Sequence, residues 1–173
     1  MDAELNALSL AVGEALISQQ LMLACAESCT GGWISEVITA TAGSSAWFER
    51  GLVTYSNLAK QELLGVSSDT LSSHGAVSEE TAREMAQGVL TRSHAQIALA
   101  VTGIAGPGGG IPAAGGSPGK PVGTVCFAWC REGQAAVSEI QCFTGERESV
   151  RRQTVIHSLL GLLTLLDGAK TVP

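Results

Sequence analysis

Charged side chains are scarce in this sequence of 173 residues, and basic ones are scarcer than acidic ones. Charged residues make up 15% of the chain, and the formal net charge is −6. Proteins that bind nucleic acid usually carry a basic stripe against the phosphate backbone, so this balance argues against a nucleic-acid partner. The chain also lacks an apolar run as long as a membrane span. Its N-terminus lacks the basic residues with which a signal peptide begins. We therefore expect a cytoplasmic protein with no membrane partner.

The residues that usually build metal or cofactor sites are few and unsuitably spaced. The chain has three aspartates and three histidines, and no pair of histidines has metal-ligand spacing. The five cysteines include two pairs spaced four apart, which is not the CxxC spacing of a zinc site. Neither a phosphate-loop pattern nor a dinucleotide-binding glycine pattern follows a strand. We expect no metal and no cofactor, and the odd cysteine count favours reduced thiols.

Along the chain, segments whose apolar residues have the spacing of a helix alternate with segments whose apolar residues have the spacing of a strand. Helices are predicted over 4–19, 31–40, 57–64, 79–92 and 146–167. Strands are predicted over 21–26, 47–55 and 97–101, and over a hairpin formed by 122–129 and 135–143. A glycine within the second strand, Gly51, predicts a β-bulge. The order predicts an α/β protein, a three-layer α/β/α sandwich with a mixed, mostly parallel sheet, in a single domain over 1–173.

The turn Glu27-Ser28-Cys29-Thr30-Gly31-Gly32 carries the most chemical information. It follows a short apolar strand and opens a helix, so its backbone N–H groups are unpaired and can serve a nucleophile, an oxyanion or a phosphate. Ser28 is the candidate nucleophile, and Cys29 is the alternative because a helix N-terminus lowers a thiol pKa. Simpler interpretations stay open: Ser28 as an N-cap, Cys29 as a small buried hydrophobe, and Glu27 as a partner of the helix dipole. Nothing places a histidine and an aspartate near Ser28 to complete a triad.

Lysine is scarce as well, with Lys60, Lys120 and Lys170 the only ones in the chain. Lys60 lies where a strand passes into a helix, so it can face the same sheet edge as Ser28. A lysine that acts as a base must be neutral, and burial lowers its pKa from the usual value of about 10.4. A Ser/Lys pair is an established alternative to Ser-His-Asp. The competing interpretation puts Lys60 on a solvated helix face.

A second candidate site follows the apolar run 97–101. Small residues there let backbone N–H groups approach an anion: Thr102, Gly103, Ile104, Ala105 and Gly106. The alternative is that Thr102-Gly103 only makes a turn. Residues 106–120 hold seven glycines and three prolines, which predicts a long loop. At the start of the last helix, Arg147 is either a further source of positive charge or a surface residue, and the apolar sheet and last helix favour a homo-oligomer.

Several ordered blocks of the sequence resemble one known family. They are 26–32 (AESCTGG), 53–60 (VTYSNLAK), 74–81 (HGAVSEET), 100–109 (AVTGIAGPGG), 120–125 (KPVGTV) and 145–151 (GERESVR). Over nearly the whole chain they resemble the CinA C-terminal domain family, in its stand-alone form. The resemblance implies a nicotinamide-nucleotide amidohydrolase, which converts nicotinamide mononucleotide to nicotinate mononucleotide and ammonia in pyridine-nucleotide recycling. It also implies a catalytic pair that falls on Ser28 and Lys60, with Tyr55 nearby.

The remaining assignments follow from that chemistry. We expect Tyr55 to orient Lys60 or to donate to the leaving amine, although a tyrosine at a strand end is often a core residue. We expect the turn from Glu27 to Gly32 to bind the substrate, with the backbone N–H groups near Cys29 and Thr30 as candidates for the oxyanion. Candidates for the substrate phosphate are Thr30-Gly31-Gly32, the segment 102–106 and Arg147. The alternatives to this function are a non-catalytic nucleotide-binding or regulatory module, and an amidase for another small amide.

Overall fold

Helices and strands alternate through most of the chain, and a strand hairpin and a long helix complete it. This computed structural model describes residues 2–107 and 119–168. The helices are α1 (Ala3–Ser18), α2 (Trp33–Thr39), α3 (Asn57–Leu64), α4 (Ser68–His74), α5 (Glu79–Thr91) and α6 (Arg147–Gly168). The strands are β1 (Leu23–Glu27), β2 (Phe48–Val53), β3 (Ile97–Gly103), β4 (Thr124–Arg131) and β5 (Val137–Cys142). Most of the predicted glycine-rich loop (108–118) and Lys170 lie outside the described residues.

The strands form a mixed sheet in the order β2-β1-β3-β4-β5. β1 pairs in parallel with both β2 and β3, whereas the β3–β4 and β4–β5 pairs are antiparallel. The register sets Glu27 of β1 beside both Val53 of β2 and Val101 of β3. The carboxyl ends of these three strands therefore meet at one edge of the sheet.

Helices cover both faces of the sheet, and each face has its own apolar core. α1, α2 and α6 pack on one face, around Trp47, Phe127 and Leu16. α3, α4 and α5 pack on the other face, around Met85 and small strand residues such as Ala98. This arrangement confirms the predicted three-layer α/β/α fold. Within the described ranges, none of the helices has the length and apolar character needed to cross a bilayer.

Two glycines permit the close contacts that place helices next to the sheet edge. A Cβ at Gly88 of α5 would lie 2.0 Å from the carbonyl oxygen of Leu64 in α3, and one at Gly51 would lie 2.0 Å from Ser35 Oγ in α2. β2 does contain an irregularity of the predicted kind, but its predicted position at Gly51 is wrong. The irregularity in the β1–β2 pairing falls at Glu49, the extra residue of β2, and Gly51 is required by the approach of α2.

The sheet order also indicates where a ligand binds. From β1 the chain crosses through α2 to β2 on one side, and then through α3, α4 and α5 over the other face to β3. The direction of winding therefore reverses between β1 and β3. In open α/β sheets, ligands bind outside the carboxyl ends of the strands at such a reversal. Ser28, the residue after β1, lies at this point.

Candidate active site

Ser28 leaves the sheet immediately after β1. Its backbone N–H donates to the Val101 carbonyl at 3.0 Å, which continues the pairing with β3 for one more residue. Its side chain is nearly buried, and Oγ accepts a hydrogen bond from Lys60 Nζ at 3.0 Å. The structure therefore brings together the two residues that the sequence put forward as nucleophile and base.

Lys60 reaches Ser28 from α3, whose first turn is capped by the Ser56 side chain accepting from Ala59 N at 3.0 Å. Nζ also donates to the Thr54 carbonyl at 2.9 Å, and the residue is only 1% exposed. No carboxylate in the part of the chain that is described forms an ion pair with it. Because burial penalises the charged form, the pKa of Lys60 is lowered to about 8. A substantial fraction of this lysine is therefore neutral near pH 8.

The Glu27 carboxylate holds the start of α2. Oε2 accepts from Thr30 Oγ1 at 2.7 Å and from the N–H groups of Gly32 and Ile34, each at 3.0 Å. Oε1 accepts from Ser35 N at 2.8 Å and from Ser35 Oγ at 2.7 Å. These bonds favour the simpler interpretation of Glu27 as the partner of the helix N-terminus, so its part in substrate binding is to hold the turn.

Replacing Glu27 by alanine is expected to lower the free energy of unfolding by about 3 kcal/mol or more, because several buried N–H and O–H donors lose their acceptor. The exposed Glu36, also in the first turn of α2, offers a matched control. Glu36→Ala should change stability by less than about 0.5 kcal/mol in the same urea denaturation. Equal effects of the two substitutions would contradict the role given to Glu27.

The occupied helix N-terminus bears on where a phosphate can bind. The N–H groups of Gly31 and Gly32 donate to the Ser28 carbonyl and to Glu27, so neither is offered to a ligand. By contrast, the N–H groups of Cys29 and Thr30 have no acceptor among the described residues. The turn thus favours an oxyanion at Cys29 and Thr30 over a phosphate at Thr30-Gly31-Gly32.

Cys29 is a poor alternative to Ser28 as the nucleophile. It is 5% exposed and belongs to the apolar core on the α1, α2 and α6 face. Burial raises the pKa of its thiol to about 12, so the reactive thiolate is disfavoured at neutral pH. These observations favour the simpler interpretation of Cys29 as a small buried hydrophobe, because desolvation outweighs the effect of the helix N-terminus on the pKa of its thiol.

Tyr55 lies near the site but not against Lys60. Its ring is 64% exposed, and its hydroxyl accepts from Arg147 Nη2 at 3.0 Å. A Cβ at Gly106 would lie 3.3 Å from Arg147, so Tyr55, Gly106 and Arg147 lie together. The group that orients Lys60 Nζ is instead the Thr54 carbonyl, which residue types alone do not reveal because every residue has a main-chain oxygen.

Residues 102–106 begin inside β3, because Thr102 and Gly103 pair with Cys126 and Val125 of β4 and do not form a turn. Thr102 Oγ1 donates to the Ala76 carbonyl at 2.7 Å, and Ile104 N donates to Thr124 O at 2.9 Å. A Cβ at Gly103 would lie 2.9 Å from Thr124 O, so glycine is required for this strand contact. The N–H groups of Ala105 and Gly106 have no acceptor in the described ranges, and they are the anion-binding candidates left in 102–106.

A cavity of about 370 Å³ opens beside the turn and is lined by Trp33, Arg147, Glu148 and Arg151. Its two arginines supply positive charge next to the site in an otherwise acidic chain. Trp33 and Arg151 had no assigned role in the sequence analysis. Across residues 2–107 and 119–168, no group of three histidine, cysteine, aspartate or glutamate side chains is arranged to hold a metal ion.

Comparison with known proteins agrees with the resemblance found in the sequence. The profile of the CinA C-terminal domain matches residues 5–166. The chain is 50% identical over 158 residues to the nicotinamide-nucleotide amidohydrolase PncC of Escherichia coli (strain K12), covering 91% of this chain and 92% of that protein. It is 49% identical over 161 residues to the Pseudomonas putida protein of the same name, covering 93% and 96%.

Solved structures give the same result. The crystal structure of a CinA superfamily protein from Klebsiella pneumoniae 700603 matches with a TM-score of 0.88 and 40% identity, over 95% of this chain and 98% of that chain. The profile match, the sequence identity and the shared fold each extend over more than nine-tenths of the chain. The chain belongs to the CinA C-terminal domain family.

Proposed function

We propose that this chain hydrolyses the carboxamide of nicotinamide mononucleotide to give nicotinate mononucleotide and ammonia. The observation that carries the proposal is the hydrogen bond between Lys60 Nζ and Ser28 Oγ, made by a lysine that is almost fully buried. The amidohydrolase name of relatives at 49% and 50% identity supports the same reaction. A serine beside a desolvated lysine is an activated nucleophile of the kind that amide hydrolysis requires.

In the first half of the reaction, neutral Lys60 accepts the hydroxyl proton as Ser28 Oγ attacks the carboxamide carbon. The carbonyl oxygen becomes an oxyanion, and the N–H groups of Cys29 and Thr30 donate to it; one such donor is typically worth ~3 kcal/mol. The C–N bond then breaks, protonated Lys60 gives its proton to the nitrogen, and ammonia leaves. The Thr54 carbonyl holds the lysine in place throughout.

In the second half, water hydrolyses the ester on Ser28. Lys60 accepts a proton from the water as its oxygen attacks the ester carbon, and the same N–H groups bind the oxyanion again. When the C–O bond to Ser28 breaks, Lys60 returns the proton to Oγ and nicotinate mononucleotide leaves. One water is consumed for each ammonia released, and Lys60 alternates between base and acid.

For the substrate phosphate, we propose Arg147 together with the N–H groups of Ala105 and Gly106. Arg147 lines the cavity beside the turn and lies against Gly106. Among the described residues, the N–H groups of Ala105 and Gly106 have no acceptor, whereas those of Gly31 and Gly32 already donate to Ser28 and Glu27. An arginine and backbone donors at one place form a common phosphate site. Tyr55 positions the guanidinium through its hydroxyl.

Replacing Arg147 by alanine is expected to raise KM for nicotinamide mononucleotide about tenfold or more, with a smaller effect on kcat, because a phosphate contact is lost. Ammonia release under steady-state conditions measures both constants. Nicotinamide riboside, which lacks the phosphate, is the matched substrate. With this substrate, the KM values of the variant and the wild type should differ only slightly. An equal loss with both substrates would show that Arg147 does not bind the phosphate.

The proposed reaction is tested by incubating the protein with nicotinamide mononucleotide and measuring ammonia and nicotinate mononucleotide together. Both products should appear in equal amounts. Binding without ammonia would favour a non-catalytic nucleotide-binding module. A panel of small amides separates the remaining alternative, since a faster reaction with another amide would make that amide the substrate.

A cytoplasmic homo-oligomer stays a prediction. Val137 on edge strand β5 and Leu160 on neighbouring α6 are both exposed, and they line the same open groove. Exposed apolar side chains grouped in this way are typical of a surface that another subunit covers. Sedimentation velocity would measure the assembly directly.

A further inference from the structure

Arg151 lies on the α6 side of the turn that presents Ser28 and takes no direct part in the proposed proton transfers. Its Nε donates to the Cys29 carbonyl at 3.1 Å, and its Nη2 donates to the Thr30 carbonyl at 2.7 Å. The guanidinium also lies over the Trp33 ring, 5.2 Å from its centroid. A planar group that binds two successive carbonyls and stacks on an aromatic ring is held in one orientation, which a lysine at this position does not reproduce.

These two contacts fix the directions of N–H groups in the turn. In a trans peptide the C=O and N–H point in opposite directions, so a Cys29 carbonyl turned toward α6 directs the Thr30 N–H away from α6. The next peptide is held at both ends, since Arg151 binds the Thr30 carbonyl and the Gly31 N–H donates to Ser28 O at 3.1 Å. The Thr30 N–H is left with a set direction and no protein acceptor among the described residues.

The Thr30 N–H points toward the side of the turn on which Ser28 reacts. α6 packs on one face of the sheet and α3 on the other, so Lys60 approaches Ser28 Oγ from the side opposite Arg151. A Thr30 N–H that points away from α6 therefore points toward the side on which Ser28 meets its base. This is where the oxyanion forms if Ser28 attacks an amide.

We propose that Arg151 is a positioning residue that builds the oxyanion site, by holding the Cys29 and Thr30 carbonyls so that the Thr30 N–H faces the tetrahedral intermediate. An amide whose carbonyl accepts a hydrogen bond from a cation is polarised, and its N–H becomes a stronger donor. The negative charge on the substrate oxygen develops only in the transition state, so the effect falls on kcat rather than on KM. The inference rests on the proposed amide hydrolysis.

Arg151→Gln is expected to lower kcat for nicotinamide mononucleotide about 10- to 100-fold while KM stays within about twofold of wild type. Arg151→Lys keeps the positive charge but loses the planar guanidinium that donates to two carbonyls at once. The kcat of this variant should therefore also fall well below that of the wild type. The neighbouring Arg152 is the matched control, because its guanidinium pairs with Asp2 and Glu4 at the surface. Arg152→Gln should keep kcat within about twofold.

Chemical rescue separates positioning from a general loss of structure. Methylguanidinium, at concentrations too low to denature the protein, should restore part of kcat to Arg151→Ala and leave Arg152→Ala unchanged. A raised KM with unchanged kcat would make Arg151 a direct substrate contact, and unchanged kinetics would mean that the turn keeps its shape without it; either result overturns the inference. A wild-type protein that releases no ammonia from this substrate would instead refute the proposed function itself.

Discussion

Replacing Ser28 by alanine is expected to lower kcat for ammonia release from nicotinamide mononucleotide by at least about 10³-fold. The substitution removes Ser28 Oγ, which accepts a hydrogen bond from Lys60 Nζ, and keeps the backbone bond from Ser28 N to the Val101 carbonyl. Because the change deletes a single oxygen, the fold should be retained, as circular dichroism would show. Steady-state ammonia release measures the loss.

The control for this experiment is Ser72→Ala. Ser72 is exposed on α4, and its hydroxyl donates only to the carbonyls of Ser68 and Asp69 in its own helix. This variant should keep kcat within about twofold of wild type. Substantial activity in Ser28→Ala, combined with a large loss in Cys29→Ala, would contradict the assignment of Ser28 as the nucleophile.

Replacing Lys60 by methionine is expected to reduce kcat by a similar factor, about 10³-fold, because the base is lost while the apolar stem is kept. In the wild type, kcat/KM should rise with pH and level off above about 8, the pKa of Lys60, since only the neutral amine accepts a proton. Lys60→Arg is the matched variant, because a guanidinium keeps its proton throughout this range. Near-wild-type activity in Lys60→Arg would show that charge, rather than proton transfer, is what the position supplies.

The same buried lysine makes stability depend on pH. Its pKa is about 8 in the folded protein, against an ordinary value of 10.5, so between these values the unfolded chain binds more protons and the free energy of unfolding rises with pH. The difference corresponds to about 3 kcal/mol, at ~1.4 kcal/mol for each pKa unit. Relative to Lys60→Met, the wild type should gain about this much stability between pH 8 and pH 10.5. Equal pH slopes for the two proteins in urea denaturation would show that Lys60 is not perturbed.

The features that could be predicted from the sequence are those that depend on the spacing or the scarcity of one kind of residue. The layer order followed from apolar spacing, and the scarcity of lysine together with the family resemblance singled out Lys60 as the partner of Ser28. Helix α4 was missed because it is only seven residues long and buries a single side chain, Leu71. A helix this short contains too few apolar residues for a helical spacing to be recognised in the sequence.

The parts of the site that escaped prediction depend on contacts between distant segments. The Thr54 carbonyl positions Lys60, and Arg151 binds the turn from 121 or more residues away along the chain. Glu27 was expected to bind substrate, yet its carboxylate accepts five hydrogen bonds from the turn and α2. Which acceptor a donor finds is decided by packing, so residue type and spacing alone do not reveal it.

The central claim is that Ser28, activated by neutral Lys60, forms an ester with the substrate acyl group. It is tested most directly by quenching the enzyme with acid during turnover of nicotinamide mononucleotide and mapping the adduct by mass spectrometry. The account predicts an adduct equal to the substrate minus ammonia, on the peptide that contains Ser28 and at that residue. An adduct at Cys29, or turnover that yields no adduct under any quench time, would contradict it.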